Sequence, residues 1–453
     1  MSNQVPISSP FIYGRPVRGD EFLSRERELR TIFNRVYNGE STVVSGEPHI
    51  GKTSLLLQLA DQRTQRRYLG GEAERFVFVN LDLHPIGAQY EPVTFWEEVF
   101  DPLLALGRYD RLAASVERAA TRGYDRRSLE RVFTRLERHG LHLVLLLDEF
   151  ERLLTHPNFQ DPAFFALLRS LATRTGALAI VPASRLSVAE MNQQGRGLLE
   201  TGSPFFNNTI ELPLRPFDEK SVGKLLDRGG FDAHERAFVC RVAGRHPFLL
   251  QAMAATLLEA TDRTANSPSP PPACVPRIGR GGVRADAAER FYERIASHFD
   301  DLWYTLDDRT RTTAVILSLL ELGGQVYGED FNYGEIERSD IFGQELRRLA
   351  DLGLAEQVQA GIRFDWPELL VWRDGQWRVA AQAFAWWVRD VVIAEARQVP
   401  TYDEWLHKKR YRFLLTQQQW DGLVNGVRNA PEWAVGGVGG LARALWDALW
   451  KGE

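Results

Sequence analysis

Two hydrophobic periods alternate along the first half of the chain. Short apolar or β-branched runs at Ser41–Ser45, Arg75–Leu83, Leu141–Leu147, Ala177–Ala183 and Thr209–Leu214 predict strands. Between them, apolar residues spaced by three and four predict helices over Thr53–Gln65, Thr94–Leu106, Arg126–His139 and Ala163–Arg174. Strand and helix in alternation predict an α/β domain built on a parallel sheet. The interval between the second and third strands is long enough for at least two helices and reads as an elaboration of that sheet.

From Asp218 to Ala260 the pattern is wholly helical, with Asp218 as a cap, a second helix from about Asp232 and a third after Pro247. The segment Thr261–Arg284 breaks it, with a Ser-Pro-Ser-Pro-Pro-Pro run and a Gly-Arg-Gly-Gly cluster that predict an extended linker. Helical periodicity resumes at Ala287–Phe299 and Thr310–Leu320, then at Phe342–Leu352. Short strand-like pieces follow at Ala355–Val358, Gly361–Phe364 and Trp377–Val379 before a helix over Gln382–Ala396. Helices with a small hairpin fit a winged-helix domain. The expected division is an N-terminal arm (1–20), a core (21–216), a helical lid (217–260), a linker (261–286), a winged-helix-like domain (287–398) and a helical C-terminal region (399–453).

Composition adds few constraints. The 453 residues are 44% hydrophobic and 25% charged, and 55 basic against 60 acidic side chains give a formal charge of −5. That balance exerts no global pull toward nucleic acid or acidic membranes. Cys240 and Cys274 are too far apart in sequence to suggest a disulfide framework or a zinc cluster. No signal-like or membrane-spanning run is visible, so a cytoplasmic protein is expected. Residues 434–450 place glycines at 436, 437, 439 and 440 before an aromatic amphipathic end. There Arg443, Asp447 and Lys451 form a polar stripe against Trp446, Leu449 and Trp450. Such a tail either docks on its own protein or meets a partner or membrane surface when released.

The candidate chemistry begins after the first strand. Gly46-Glu47-Pro48-His49-Ile50-Gly51-Lys52-Thr53, followed by Ser54, fits the phosphate-binding pattern G-x-x-x-x-G-K-S/T between a strand and a helix. Glycines let backbone N–H groups surround a phosphate, and the helix N-terminus adds positive potential. Lys52 is placed to neutralise β- and γ-phosphates, and the Thr53 hydroxyl to hold Mg²⁺. His49 reads as a surface side chain of this loop. The third strand ends in Asp148 and Glu149, at the edge of a parallel sheet where ligands bind. Asp148 is placed to hold the Mg²⁺ shell and Glu149 to deprotonate the attacking water. The fourth strand ends in Ser184-Arg185, either of which is positioned to sense the γ-phosphate.

With these motifs the chain resembles the STAND branch of the AAA+-like ATPases, near the archaeal and bacterial ATPases with a helical lid and winged helix. Phe22-Leu23-Ser24-Arg25-Glu26 resembles the entry motif F-h-G-R-E beside the adenine, with Ser24 at its glycine. The phosphate loop, the acidic strand end and the sensor arginine Arg185 are further matches. Gly244-Arg245-His246-Pro247 resembles the G-x-P turn of the lid, whose proline packs near the base, with one extra residue. The resemblance covers roughly residues 10–260 by motif and 285–395 by pattern. It implies a strand order of 5-1-4-3-2, ATP or ADP with Mg²⁺, slow hydrolysis, and an ATP-dependent switch that self-assembles as a homo-oligomer, plausibly in bacterial signalling or defence. An arginine finger is not evident; Arg169 and Arg174 are the placed candidates.

Two function classes stay open. One is that signalling switch, triggered through its C-terminal domains or by a separate protein. The other is a DNA-binding ATPase resembling origin-recognition or mobile-element proteins, with Gln344, Arg347 and Arg348 as the DNA-facing side chains. Glu335, Glu337, Asp340, Glu345 and Asp351 surround those three and weigh against phosphate contact.

Overall fold

A computed structural model describes residues 9–105, 107, 110–195, 209–265, 282–307, 309–311, 313–315, 317–318, 339–357 and 377–397. The chain divides into two compact units, Arg15–Leu214 and Met1–Gly14 with Arg215–Glu453.

The first unit runs α1 (Glu26–Tyr37), β1 (Thr42–Ser45), α2 (Lys52–Ala60), α3 (Gln62–Leu69), β2 (Phe76–Asp82), α4 (Pro92–Ala105), α5 (Asp110–Ala120) and α6 (Arg126–Arg138). It continues with β3 (His142–Asp148), α7 (Glu151–Thr155), α8 (Pro162–Arg174), β4 (Leu178–Ser184), α9 (Val188–Gln194) and β5 (Ile210–Pro213). The five strands form one parallel sheet in the order β2-β3-β4-β1-β5, which is the order the resemblance implies. Placing β4 between β1 and β3 brings the ends of β1, β3 and β4 to one edge of the sheet.

The central strand explains why both faces are covered. Leu143, Leu145 and Leu147 point into a core shared with α4, α5, α6 and α8, while Val144 and Leu146 point into one shared with α1, α2 and α3. Leu143 through Leu147 are all fully buried. Each such side chain contributes about 1.5–3 kcal/mol on transfer from water. Helix α6 shows the complementary helical pattern: Leu129, Val132, Phe133 and Leu136 are buried, and Asp125 caps the start by accepting from the Ser128 N–H. The elaboration between β2 and β3 consists of three helices, α4 to α6, packed around Trp96, Phe100 and Phe133.

The expected single helix over Thr53–Gln65 is two helices. Asp61 is extended (ψ 123°), and its carboxylate accepts from both the Thr64 N–H and the Thr64 hydroxyl, so it starts α3 instead of continuing α2. A side chain that competes locally for backbone donors favours a cap over a helix interior.

In the second unit, α10 (Glu219–Asp227) is capped by Asp218, α11 (Ala233–Ala243) by a reciprocal Asp232–Glu235 box, and α12 (Pro247–Ala265) opens on its proline. Helix α13 (Gly282–Thr305) starts earlier than the periodicity suggests. It is followed by α14 (Ser339–Asp351), β6 (Ala355–Gln357), β7 (Trp377–Val379) and α15 (Gln382–Arg397). Helix thus occupies both flanks of the Pro- and Gly-rich segment: Thr261–Ala265, taken as linker, closes α12. Strand β6 pairs antiparallel with β7. The expected strand Gly361–Phe364, most of the Pro- and Gly-rich segment, Cys274 and the whole 399–453 region with its tail lie outside the described residues. Among the described residues, no helix is long and apolar enough to cross a membrane. Burial pushes the Cys240 thiol up to about 11, so it is not a reactive thiolate at neutral pH.

Candidate active site

The phosphate loop leaves the C-terminal end of β1 and enters α2 at Lys52. Its entry is crowded: a Cβ on Gly46 would lie 2.9 Å from Ile50 Cγ2 and 3.1 Å from the Leu214 carbonyl oxygen. Gly51 takes φ 104° at the helix start, and no side chain caps α2. The first-turn N–H groups of a helix lack intrahelical partners and favour an anion. Gly46 N–H donates to the Ser184 carbonyl at 3.2 Å, which ties the loop to the end of β4. Glu47 and Pro48 are half-buried, Ile50 is buried and His49 is exposed at φ 62°.

Lys52 is buried, and its Nζ donates to the Gly46 and Glu47 carbonyls at 2.7 and 2.9 Å. Burial holds the ammonium below the usual lysine value, opposed by the charges of Glu151, Glu149, Glu47 and Asp148. The Thr53 hydroxyl lies near enough to the Asp148 carboxyl to act on it electrostatically, so the end of the phosphate loop meets the end of β3. Ser54 is also buried, and its hydroxyl accepts from Val17 N–H at 3.1 Å.

Burial pushes the Asp148 carboxyl above the usual range; the Thr53 hydroxyl and Lys52 act against that, and neighbouring Asp82 adds to it. A hard carboxylate and a hydroxyl close to one another, in a site that penalises bare negative charge, fit Mg²⁺. This ion takes few protein oxygens and completes its shell with phosphate and water. Among the described residues no group of three or more His, Cys, Asp or Glu could hold a metal ion.

The raised carboxyl has a consequence for stability. The folded form holds this proton more tightly than the unfolded chain. The group's contribution is therefore present at acid pH and is lost as pH rises through its raised folded value. Asp148→Asn keeps the acceptor and removes the charge. It should stabilise the nucleotide-free protein at neutral pH by about 1 kcal/mol, measured as a higher thermal midpoint; a lower midpoint would contradict the burial argument.

Glu149 adopts φ 55°, left-handed for a non-glycine residue. Its N–H donates to Asp148 Oδ1 at 3.1 Å, and its Oε2 lies 3.8 Å from Arg152 Nε and 3.9 Å from His84 Nδ1. Ser184 is fully buried and its hydroxyl accepts from Leu186 N–H, closing the turn after β4. Arg185 has an exposed side chain (59%), while its N–H donates to Glu151 Oε1 at 3.2 Å.

Arg25 reaches the loop: its guanidinium donates to the Ile50 carbonyl at 3.3 Å and pairs with Glu28 at 3.0 Å. Ser24 and Arg25 both take left-handed backbone, at φ 65° and 70°. The first value accounts for the glycine of the entry motif. Ser24 is also buried, with a hydroxyl that has no hydrogen-bond partner among the described residues. Ser24→Gly should therefore stabilise the protein by about 1 kcal/mol, or about 2–4 °C in thermal midpoint; an unchanged midpoint would remove backbone strain as the explanation.

Three side chains at this edge escaped the sequence reading: Glu151, Arg152 and His84. The signal available was the third acidic residue in Asp148-Glu149-Phe150-Glu151 and a histidine just beyond β2. Pro247 belongs to the second unit, where it opens α12. Arg169 and Arg174 lie on α8. Arg169 lines a cavity of about 500 Å³ with Ser41 and Arg35, at the start of β1 and so at the opposite end from the phosphate loop. It is not placed to serve the site of its own chain.

Residues 35–183 match the AAA domain family. No curated protein sequence matches the chain. Among solved structures it is similar to a Walker-type ATPase of Pyrococcus abyssi, at 16% identity and a TM-score of 0.48, covering 83% of this chain and 98% of that one. It is also similar to the ORC2 protein of Aeropyrum pernix in ADPNP–ADP complexes, at 16% identity and a TM-score of 0.43 over 84% and 98%. For the Aeropyrum pernix ORC1 protein in complex with DNA the values are 15%, 0.35, 84% and 96%.

Proposed function

We propose that the ATP-hydrolysing P-loop domain of this chain drives a slow nucleotide-controlled switch of the STAND type. The closeness of the Thr53 hydroxyl to the Asp148 carboxyl, which it acts to hold down, carries this reading. It joins the phosphate loop to the acidic strand end, with Lys52 and Glu149 on either side. Lys52 neutralises the β- and γ-phosphates, and the backbone from Gly46 to Ser54 cradles them. Thr53 and Asp148 hold Mg²⁺, which supplies charge neutralisation to the phosphates when bound. Arg25 steadies the loop through Ile50, and Pro247 is the base-side residue that the resemblance of the lid turn implies.

Glu149 accepts the proton of the attacking water. Arg152 and His84 approach the same oxygen within 3.8 and 3.9 Å, and their competition for it supports slow turnover. Ser184 and Arg185 sense the γ-phosphate, and Arg169 or Arg174 is the candidate finger toward a neighbouring copy in an assembly.

On the second unit, Arg348 is spent within the protein, with Nη1 3.1 Å from Asp307 and Nη2 donating to the Thr305 carbonyl at 3.2 Å. Glu345 pairs with Arg309 at 2.6 Å. This favours a structural α14 over a DNA-reading one. Gln344 and Arg347 do remain exposed on one face, which keeps a DNA-directed ATPase as a second reading. Light scattering in ADP, then in an unhydrolysable ATP analogue with Mg²⁺, tests the switch. A larger species with the analogue is expected, and equal masses would overturn the switch while leaving the ATPase. Tight, salt-dependent binding to duplex DNA without any change in mass would favour the second reading.

A further inference from the structure

Glu151 opens α7, three residues after Asp148, with only 6% of its side chain exposed. Its Oε1 accepts from Arg185 N–H at 3.2 Å and lies 3.6 Å from Arg185 Nε. Its Oε2 is buried and has no hydrogen-bond partner among the described residues. A buried carboxylate that uses one oxygen and leaves the other bare is costly to keep. No step of hydrolysis described above needs it as a ligand, base or phosphate contact. What it holds is the residue at the end of β4 that faces the γ-phosphate in the proposed reading.

We propose that Glu151 is a positioning residue that competes with the γ-phosphate of ATP for the Arg185 guanidinium, and so sets the preference of the site for ATP over ADP. The inference rests on the reading of Gly46–Thr53 and Asp148–Glu149 as the nucleotide site. ADP leaves the Arg185–Glu151 pair in place because it has no third phosphate. ATP draws the guanidinium away, and a long exposed side chain can make that move without breaking the Arg185 N–H bond that anchors its backbone. Glu151 is also the foremost of the carboxylates acting on Lys52, which places it in the electric field of the phosphates.

The test is calorimetric titration of the full chain with an unhydrolysable ATP analogue and with ADP, each with Mg²⁺. The proteins are the wild type, Glu151→Gln, Arg185→Gln and the double variant. Glutamine keeps the acceptor for Arg185 N–H and removes the competing charge. Glu151→Gln should raise the analogue-to-ADP affinity ratio by about two- to fivefold, the worth of one partly exposed ion pair. That gain should vanish in the Arg185→Gln background, because the competition needs both partners. A ratio that is unchanged or lowered by Glu151→Gln, or a gain that persists without Arg185, overturns the proposal. Should the glutamine variant not fold, Glu151→Asp withdraws the carboxylate from Arg185 by one methylene; the same direction is expected and the same results overturn it. Wild-type protein that binds neither nucleotide would bring down the site itself, whereas binding of both with an unshifted ratio brings down only the role of Glu151.

Discussion

Lys52→Ala is expected to abolish nucleotide binding, with ATP affinity falling by at least about a hundredfold, the loss of two charge-assisted bonds to the phosphates. The effect is large for two reasons. The ammonium is the phosphate loop's own cation, already buried beside Glu151, Glu149 and Asp148, so its removal leaves a site of net negative charge facing a triphosphate. The same Nζ also fastens the Gly46 and Glu47 carbonyls, so the alanine chain loses part of the loop's shape as well. Fluorescent-nucleotide titration reads the affinity, and a melting curve on the same sample reports whether the fold survives. Unchanged ATP affinity in a folded variant would end the assignment of this loop.

Glu149→Gln should keep ATP binding near the wild-type value and lower turnover by about 10²–10⁴-fold, the range for loss of a positioned general base. Glutamine matches the size of the side chain and inherits the left-handed backbone unchanged, so the local fold has little reason to move. What disappears is the capacity to take a proton. Steady-state phosphate release and nucleotide affinity, measured together, separate chemistry from binding. Ordinary hydrolysis by the variant would remove Glu149 as the base.

These residues were legible because each sits where a one-dimensional pattern ends. The Leu143–Leu147 run must be a central strand, and the polar pair after it falls on the edge where parallel strands bind ligands. The strand order was available through resemblance only, since hydrophobic period carries no information about which strand is the neighbour of which. Asp61 shows the limit within a helix: apolar spacing runs through it, and only its side-chain geometry reveals a new cap. Arg348 shows the limit on a surface, where a helical wheel cannot tell a free guanidinium from one committed to Asp307. Ser24 is the reverse case. It departs from a motif glycine in the sequence, yet keeps the left-handed backbone that the glycine signifies. Glu151 was invisible because an acidic residue beside Asp148 and Glu149 looks like more of the same solvated turn until its burial is known.

The phosphate cradle is fastened from several directions at once. Val17 and Gly19 N–H groups donate to Ser54 and Gln58 on α2, Arg25 holds the Ile50 carbonyl, Gly46 leans on Ser184, and Lys52 closes across the loop itself. A support braced at so many points behaves as an anvil and not as a hinge. Whatever movement follows the loss of a phosphate should begin in the side chains across from it, beyond β3 and β4, while amide exchange along α2 stays slow throughout the cycle.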